Sequence, residues 1–147
     1  MSVLLAVRHS SAGDRAAWIE DDDHRPLDDL GRRQAEWLIG ALSDRQIGRI
    51  LSSPAVRCVQ TVEPLAAARG VELEVEPGLA EGASGAAMAL VSDLGEPDSD
   101  VVLCSHGDVI ESLVGEDRPC RKGSVWVLER TPDGWRPAEY LKPPRRS

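Results

Sequence analysis

Two stretches of the chain are apolar at every position, and most of the remainder alternates or repeats with a helical spacing. Val3-Leu4-Leu5-Ala6-Val7 is the first such run. It is too short for a typical helix and suits a strand buried on both faces, although periodicity alone does not separate it from a buried helix segment. Val101-Val102-Leu103-Cys104 is the second, bounded by turn signals. Between them, Ala35, Leu38, Ile39 and Leu42 fall at i, i+3, i+4 and i+7, the stripe of an amphipathic helix. Asp28 or Asp29 would cap that helix, and Gly31 lies near its start. Gly48–Leu51 predicts a short strand. A second helix follows, with Ser53 as N-cap and Pro54 in the first helical position. Its expected buried face is Ala55, Val59, Val62 and Ala66, with a kink at Pro64 and an end at Gly70.

Val71–Val75 alternates apolar with acidic residues and predicts a half-exposed strand near a sheet edge. Pro77–Gly85 reads as a loop and Ala86–Leu94 as a short helix. Val109, Ile110, Leu113 and Val114 mark one more helix. Ser124–Glu129 predicts a strand, and Trp135–Leu141 its hairpin partner across the turn Thr131–Gly134. Strands alternating with helices imply a three-layer α/β/α sandwich. Its sheet would be mostly parallel, with an antiparallel C-terminal strand or hairpin.

The 147 residues suffice for one core, so residues 1–142 are expected to form a single domain and 143–147 a flexible tail. Hydrophobic residues at 41% and charged residues at 29% fit a globular chain. No apolar stretch approaches a membrane span, and no basic segment leads into an apolar signal core, so no membrane association is expected. Cys58, Cys104 and Cys120 are odd in number and lack metal-ligand spacing, which fits a reducing cytoplasm without disulfides. A net charge of −8 argues against nucleic-acid binding and makes any gathering of arginines notable.

Such a gathering exists at the strand ends. Arg8 and His9 follow the first strand, Arg57 begins the helix after the second, and His106 follows the fourth. Ligand sites in open α/β sheets collect at the carboxyl ends of strands, so parallel strands would bring these four side chains to one edge. Arginine forks suit phosphate oxygens, and the helix N-terminus after Ser53 adds partial positive charge. Two histidines offer a nucleophile and a second donor. The pattern points to a phosphoryl pocket, with Glu81 as candidate general acid.

Singly, each residue has a plainer reading. Arg8-His9 would be a surface turn, Arg57 a surface ion pair, His106 a satisfied strand-end histidine, and Glu81 a stray loop carboxylate. The joint placement is the signal. The acidic run Glu20-Asp21-Asp22-Asp23-His24 reads as a solvated loop rather than a metal site, because hard-cation loops alternate ligands and bend at glycine.

In these motifs the chain resembles the histidine phosphatase superfamily (phosphoglycerate-mutase-like). Arg8-His9 matches its N-terminal Arg-His motif. Ser52-Ser53-Pro54 with Arg57, Gln60 and Thr61 is similar to its Ser-Ser-Pro…Arg…Gln-Thr signature, and Ser105-His106-Gly107 matches its late Ser-His motif. Arg25-Pro26-Leu27, Gly31 and the small size resemble the SixA-type phosphohistidine phosphatases. Gly123-Ser124-Val125-Trp126 resembles the small phosphatase domain fused behind Nudix hydrolases.

The resemblance implies a phosphatase working through a phosphohistidine on His9. Arg8, Arg57 and His106 would hold the transferring oxygens, and Glu81 would protonate the leaving group and later activate water. Neither cofactor nor metal is implied. The family usually has glycine after Arg-His; here Ser10 stands there, as an added phosphate donor or a mere space filler. Alternatives are a non-catalytic phosphate-binding module and a small phosphoglycerate mutase-like enzyme, the latter disfavoured by the absence of insertions. The partner would be a phosphorylated small molecule, a nucleotide or a phosphohistidine protein, and the leaving group is not legible in the sequence.

Overall fold

The computed structural model describes residues 2–145. The six strands are β1 (Val3–Arg8), β2 (Ile47–Ser52), β3 (Leu73–Val75), β4 (Asp100–Ser105), β5 (Val125–Thr131) and β6 (Gly134–Leu141). The four α-helices are α1 (Asp29–Ala41), α2 (Val56–Arg69), α3 (Ser84–Asp93) and α4 (Gly107–Val114). The strands form one sheet in the order β3-β2-β4-β1-β5-β6. β3, β2, β4 and β1 are parallel, while β5 and β6 run antiparallel on the far side of β1. The mostly parallel sheet with its C-terminal hairpin is therefore the expected α/β architecture, and β3 lies at the sheet edge.

The continuous apolar runs are explained by which layer each residue meets. Successive strand side chains point to opposite faces. Val3, Leu5 and Val7 pack with Leu38 and Leu42, and with Cys58, Val62 and Leu65 of α2. Leu4 and Ala6 pack with Ala87 and Val91 of α3 and with Val109 and Ile110 of α4. β4 divides the same way, Val102 and Cys104 to one side, Val101 and Leu103 to the other. Neither face of these strands has a solvent side, so neither shows polar alternation.

The register aligns the strand ends. Arg8 pairs with Ser105, and Ser52 with Cys104. His9 N–H donates to Ser105 O at 3.0 Å and Ser53 N–H to Cys104 O at 2.9 Å, extending the ladders one residue past the strands. His9, Ser53 and His106 thus leave the sheet side by side.

Several local expectations need correction. α2 starts at Val56, with Ala55 as N-cap and no side-chain cap; Ser53 and Pro54 lie before the helix. The Ser53 hydroxyl is occupied with His106, at 2.9 Å. The buried face of α2 is Arg57, Cys58, Thr61, Val62, Leu65 and Ala66, whereas Val59 is only half-buried. Two polar residues of the site face inward, which rotates the face away from the apolar stripe. Pro64 lies within the helix, which closes at Gly70 as expected, with a left-handed φ of 65° there. Within the expected tail, Pro143 is buried and the Pro144 carbonyl accepts from Gln34 Nε2 at 2.8 Å. Arg146 and Ser147 lie outside the described residues.

The entry to α1 is a close backbone approach. Asp28 Oδ1 accepts from Gly31 N–H at 2.8 Å, capping the helix, and Asp28 Oδ2 accepts from Ser11 Oγ at 2.8 Å. A Cβ at Gly31 would stand 1.9 Å from Ser11 O, a backbone atom itself bonded to Asp28 N–H. Gly31→Ala should therefore destabilise by about 1–3 kcal/mol. Gly40, in the same helix with nothing within 4 Å, is the control. There alanine should stabilise by about 0.5–1 kcal/mol. Urea unfolding of both variants checks the pair; equal midpoints would refute the close approach.

Candidate active site

His9 is buried, and its Nδ1 lies 2.9 Å from its neighbour's carbonyl, Ser10 O. A carbonyl only accepts, so Nδ1 carries the proton and Nε2 is left with its lone pair. Burial pushes the imidazole down to about 3, helped by the charges of Arg57, His106 and Arg8 and opposed by the Ser10 hydrogen bond. His9 is therefore neutral at pH 7, in one tautomer. Ser10 N–H donates to Thr61 Oγ1 at 2.8 Å, and Thr61 Oγ1 donates to Arg57 O at 2.7 Å, locking this turn to α2.

The His106 ring stands 5.5 Å from that of His9, edge to face. Arg57 Nη2 donates to His106 Nδ1 at 3.3 Å. A guanidinium has only donors, so Nδ1 presents a lone pair and Nε2–H donates to Ser53 Oγ at 2.9 Å. Cys58 Sγ is 3.6 Å from the same Nε2.

Arg57 has no exposed surface at all. Besides His106 it meets Asp22 O at 2.8 Å through Nη1, Asp22 Oδ2 at 3.2 Å and Glu81 Oε1 at 3.6 Å through Nη2. Arg8 Nη1 donates to Cys120 O at 2.6 Å, and its guanidinium lies over Gly107. A Cβ at 107 would be 3.1 Å from Arg8 Cζ, so this position accommodates the arginine by having no side chain. Arg8 Nε and Arg57 Nε are both buried without a hydrogen-bond partner. Two guanidinium donors at one site are thus unspent, an arrangement suited to an oxyanion.

Arg8, His9, Arg15, Arg25, Glu81, His106 and Lys122, among others, line a cleft of about 380 Å³, and the buried Arg57 contacts His106 and Glu81 of that lining from behind. Glu81, 47% exposed, bridges to Arg15 Nη2 at 3.1 Å through both oxygens. Burial and the charges of Arg8, Arg25 and Arg15 lower the Lys122 ammonium. Larger cavities lie elsewhere on the surface, for example between Pro97 and Arg130, but they gather none of these side chains.

Arg8, His9, Arg57, His106 and Glu81 are thus brought together as the strand ends implied. Ser10 is not: it does not line the cleft, and its Oγ is buried without a partner. Its backbone carbonyl, which any residue type supplies, is what reaches the site.

The acidic run is not simply solvated either. Asp22 meets Arg57, Arg15 at 3.1 Å and Arg25 Nε at 3.0 Å. Desolvation works against its charge, but the Arg25 hydrogen bond and the charges of Arg57, Arg25 and Arg15 outweigh it and hold the carboxyl below its ordinary range. Among the described residues no three His, Cys, Asp or Glu side chains are gathered to hold a metal ion. Asp22, Ser53, Thr61, Arg15 and Lys122 are site residues without a local signal of chemistry. Ser53 and Thr61 lie inside the middle motif, and only that spacing points toward them.

Comparison with known proteins agrees with the geometry. The model of the histidine phosphatase superfamily (branch 1) matches residues 4–96. A curated relative, the 8-oxo-(d)GTP phosphatase of Mycolicibacterium smegmatis, is 37% identical over 96% of this chain and 48% of its own length. The chain thus spans about half the length of that relative. An uncharacterized protein of Picosynechococcus sp. is 40% identical over 70% of this chain and 65% of its own. The crystal structure of the putative phosphohistidine phosphatase SixA from Agrobacterium tumefaciens superposes with a TM-score of 0.79 at 26% identity, covering 97% of this chain and 98% of the other. The family model covers more than half of the chain, including the end of β1 with Arg8 and His9 and the first turn of α2 with Arg57, and on that match the chain belongs to the histidine phosphatase superfamily.

Proposed function

We propose that this cleft hydrolyses phosphate esters or phosphohistidine, with His9 as nucleophile. The observation that carries the reading is the state of His9: neutral, with Nδ1–H fixed on Ser10 O and Nε2 unprotonated beside Arg8, Arg57 and His106. Nε2 attacks phosphorus while the bond to the leaving group breaks, and Glu81 gives that group its proton. Water then attacks the phosphohistidine, Glu81 takes a proton from it, and inorganic phosphate leaves with His9 restored. A fixed cationic pocket supplies charge stabilisation to both steps. Superfamily membership, the 8-oxo-(d)GTP phosphatase relative and the likeness to the SixA structure support the reaction class.

The tautomer of His106 has a part in this scheme. A Ser53 hydroxyl both donates and accepts. When Ser53 Oγ–H donates to Nε2 instead of accepting from it, Nδ1 carries the proton and donates to a phosphoryl oxygen. Arg57 Nη2, released from Nδ1, turns to the same group. The substrate is a phosphorylated small molecule, a nucleotide or a phosphohistidine protein, and no step calls on a metal.

Three outcomes are expected. Brief incubation with substrate followed by an alkaline quench should leave phosphate on His9, detectable by peptide mass spectrometry, and His9→Ala should lose both label and turnover. A non-catalytic binding module would show neither in the wild-type chain.

Glu81→Gln should slow an alkyl phosphate by about 10²–10⁴ in kcat, a range typical of general acid–base groups. A nitrophenyl ester, whose leaving group needs little help, should slow far less. Equal losses would make Glu81 structural.

Thirdly, the 15N signals of His9 should remain those of a neutral Nδ1–H ring from pH 8 to pH 5. The folded value of about 3 lies below the ordinary 6.5. Between the two the unfolded chain binds a proton that the folded chain does not, so stability is full above pH 6.5 and declines on acidification towards pH 3. A His9 titration near 6.5 would refute the buried neutral state.

A further inference from the structure

Beside the polar cleft lies a second cavity of a different character. It measures about 230 Å³, and Ala17, Trp18, Pro26 and Leu27 form its walls. Gly13, Asp14 and Arg25 line both cavities, so the notch adjoins the cleft that holds His9 along these residues. Its walls are fixed in place. Arg25 Nη1 donates to Ala12 O at 2.9 Å and to Gly13 O at 2.7 Å, stapling the floor to the Pro26-Leu27 wall. Leu27 N–H donates to Gln60 Oε1 at 2.9 Å. Trp18 Nε1–H donates to Asp21 O at 2.9 Å, which holds the indole in one plane. A half-buried tryptophan with its N–H spent and its ring held is a rigid flat surface, not a side chain filling a core.

We propose that this notch receives the leaving group of the substrate cleaved at His9 and selects leaving groups that carry an aromatic ring. This rests on the reading of the cleft as a phosphoryl-transfer site. A phosphoryl group bound by Arg8 and Arg57 must direct its ester substituent out of the cleft, and the notch shares that cleft's wall at Gly13 and Asp14. The occupant has to offer an apolar face, because Trp18, Pro26, Leu27 and Ala17 offer little to a polar one. A planar ring meets the flat indole over its whole face at low entropic cost, whereas a flexible chain loses rotamers to do so. Polar polyol leaving groups gain nothing there.

The test compares ligands that differ only in the ring. Benzyl and ethyl phosphate have alcohol leaving groups of similar chemistry, and benzylphosphonate and ethylphosphonate are their uncleavable counterparts. In the wild-type chain the benzyl member of each pair should be favoured at least tenfold, in kcat/KM for the esters and in calorimetric Kd for the phosphonates. That ratio corresponds to about 1.4 kcal/mol. Trp18→Ala should bring both ratios close to one, and Trp18→Phe should restore most of the preference. Equal benzyl and ethyl values in the wild-type chain overturn the proposal, as does a Trp18→Ala variant that keeps the ratio. If neither ester turns over while the phosphonates still show the ratio, the catalytic reading fails and the notch stands. If neither phosphonate binds, the notch fails with it.

Discussion

A guanidinium without any exposed surface is what the site depends on. Arg57 touches His106, Asp22 and Glu81 at once, and these come from the turn between β4 and α4, the acidic loop and the segment before α3. A buried charge is tolerated only when paired and hydrogen-bonded, and removing one partner leaves an uncompensated ion. The acidic run at Asp22 supplies that compensation through both its backbone carbonyl and its carboxylate. Arg57 is in turn held by α2, whose inward face it shares with Cys58 and Val62. The geometry of the loops over the cleft thus follows from the need to satisfy one arginine.

The two histidines show how differently one side chain behaves in adjacent surroundings. His9 sees a carbonyl, three cationic or basic neighbours and little water, so it stays neutral with one tautomer set by its own backbone. His106 sees an obligate donor on one nitrogen and a hydroxyl on the other. Its tautomer depends on the rotor of Ser53, which can reverse without any movement of heavy atoms. One histidine is fixed in a single tautomer, while the partners of the other are compatible with either, a difference in keeping with the proposed roles of nucleophile and adjustable donor.

The site also explains the sequence at positions that break local rules. Ser53 lies two residues before the Ala55 N-cap, and its hydroxyl meets His106 Nε2 while accepting from Ala55 N–H. Arg57 and Thr61 occupy the inward face of α2, where apolar residues would pack better, because they face the end of β1. Gly107 leaves room for the Arg8 guanidinium. Such departures from propensity and patterning concentrate where chemistry competes with packing.

Local pattern alone determined much of this protein. The unbroken apolar runs of β1 and β4, the stripe of α1 and the turn before β6 depend on neighbours a few residues apart, so their periodicity is written in order along the chain. The convergence of Arg8, His9, Arg57 and His106 followed from one further premise, that the strands are parallel. Only the tertiary structure decided what faces these groups. Asp22 is 35 positions from Arg57 and sits in a run of carboxylates that locally resembles any solvated loop. Ser10 looked like a phosphate donor by adjacency to His9, yet its hydroxyl does not line the cleft. The α2 face holds Val62 and Ala66 as the apolar stripe predicts, but Arg57 and Thr61 beside them are polar, and inward-facing polar residues leave no apolar mark. Pairings across the fold depend on which loops the sheet register brings together, and that register is set by the packing of whole layers rather than by any short stretch of residues.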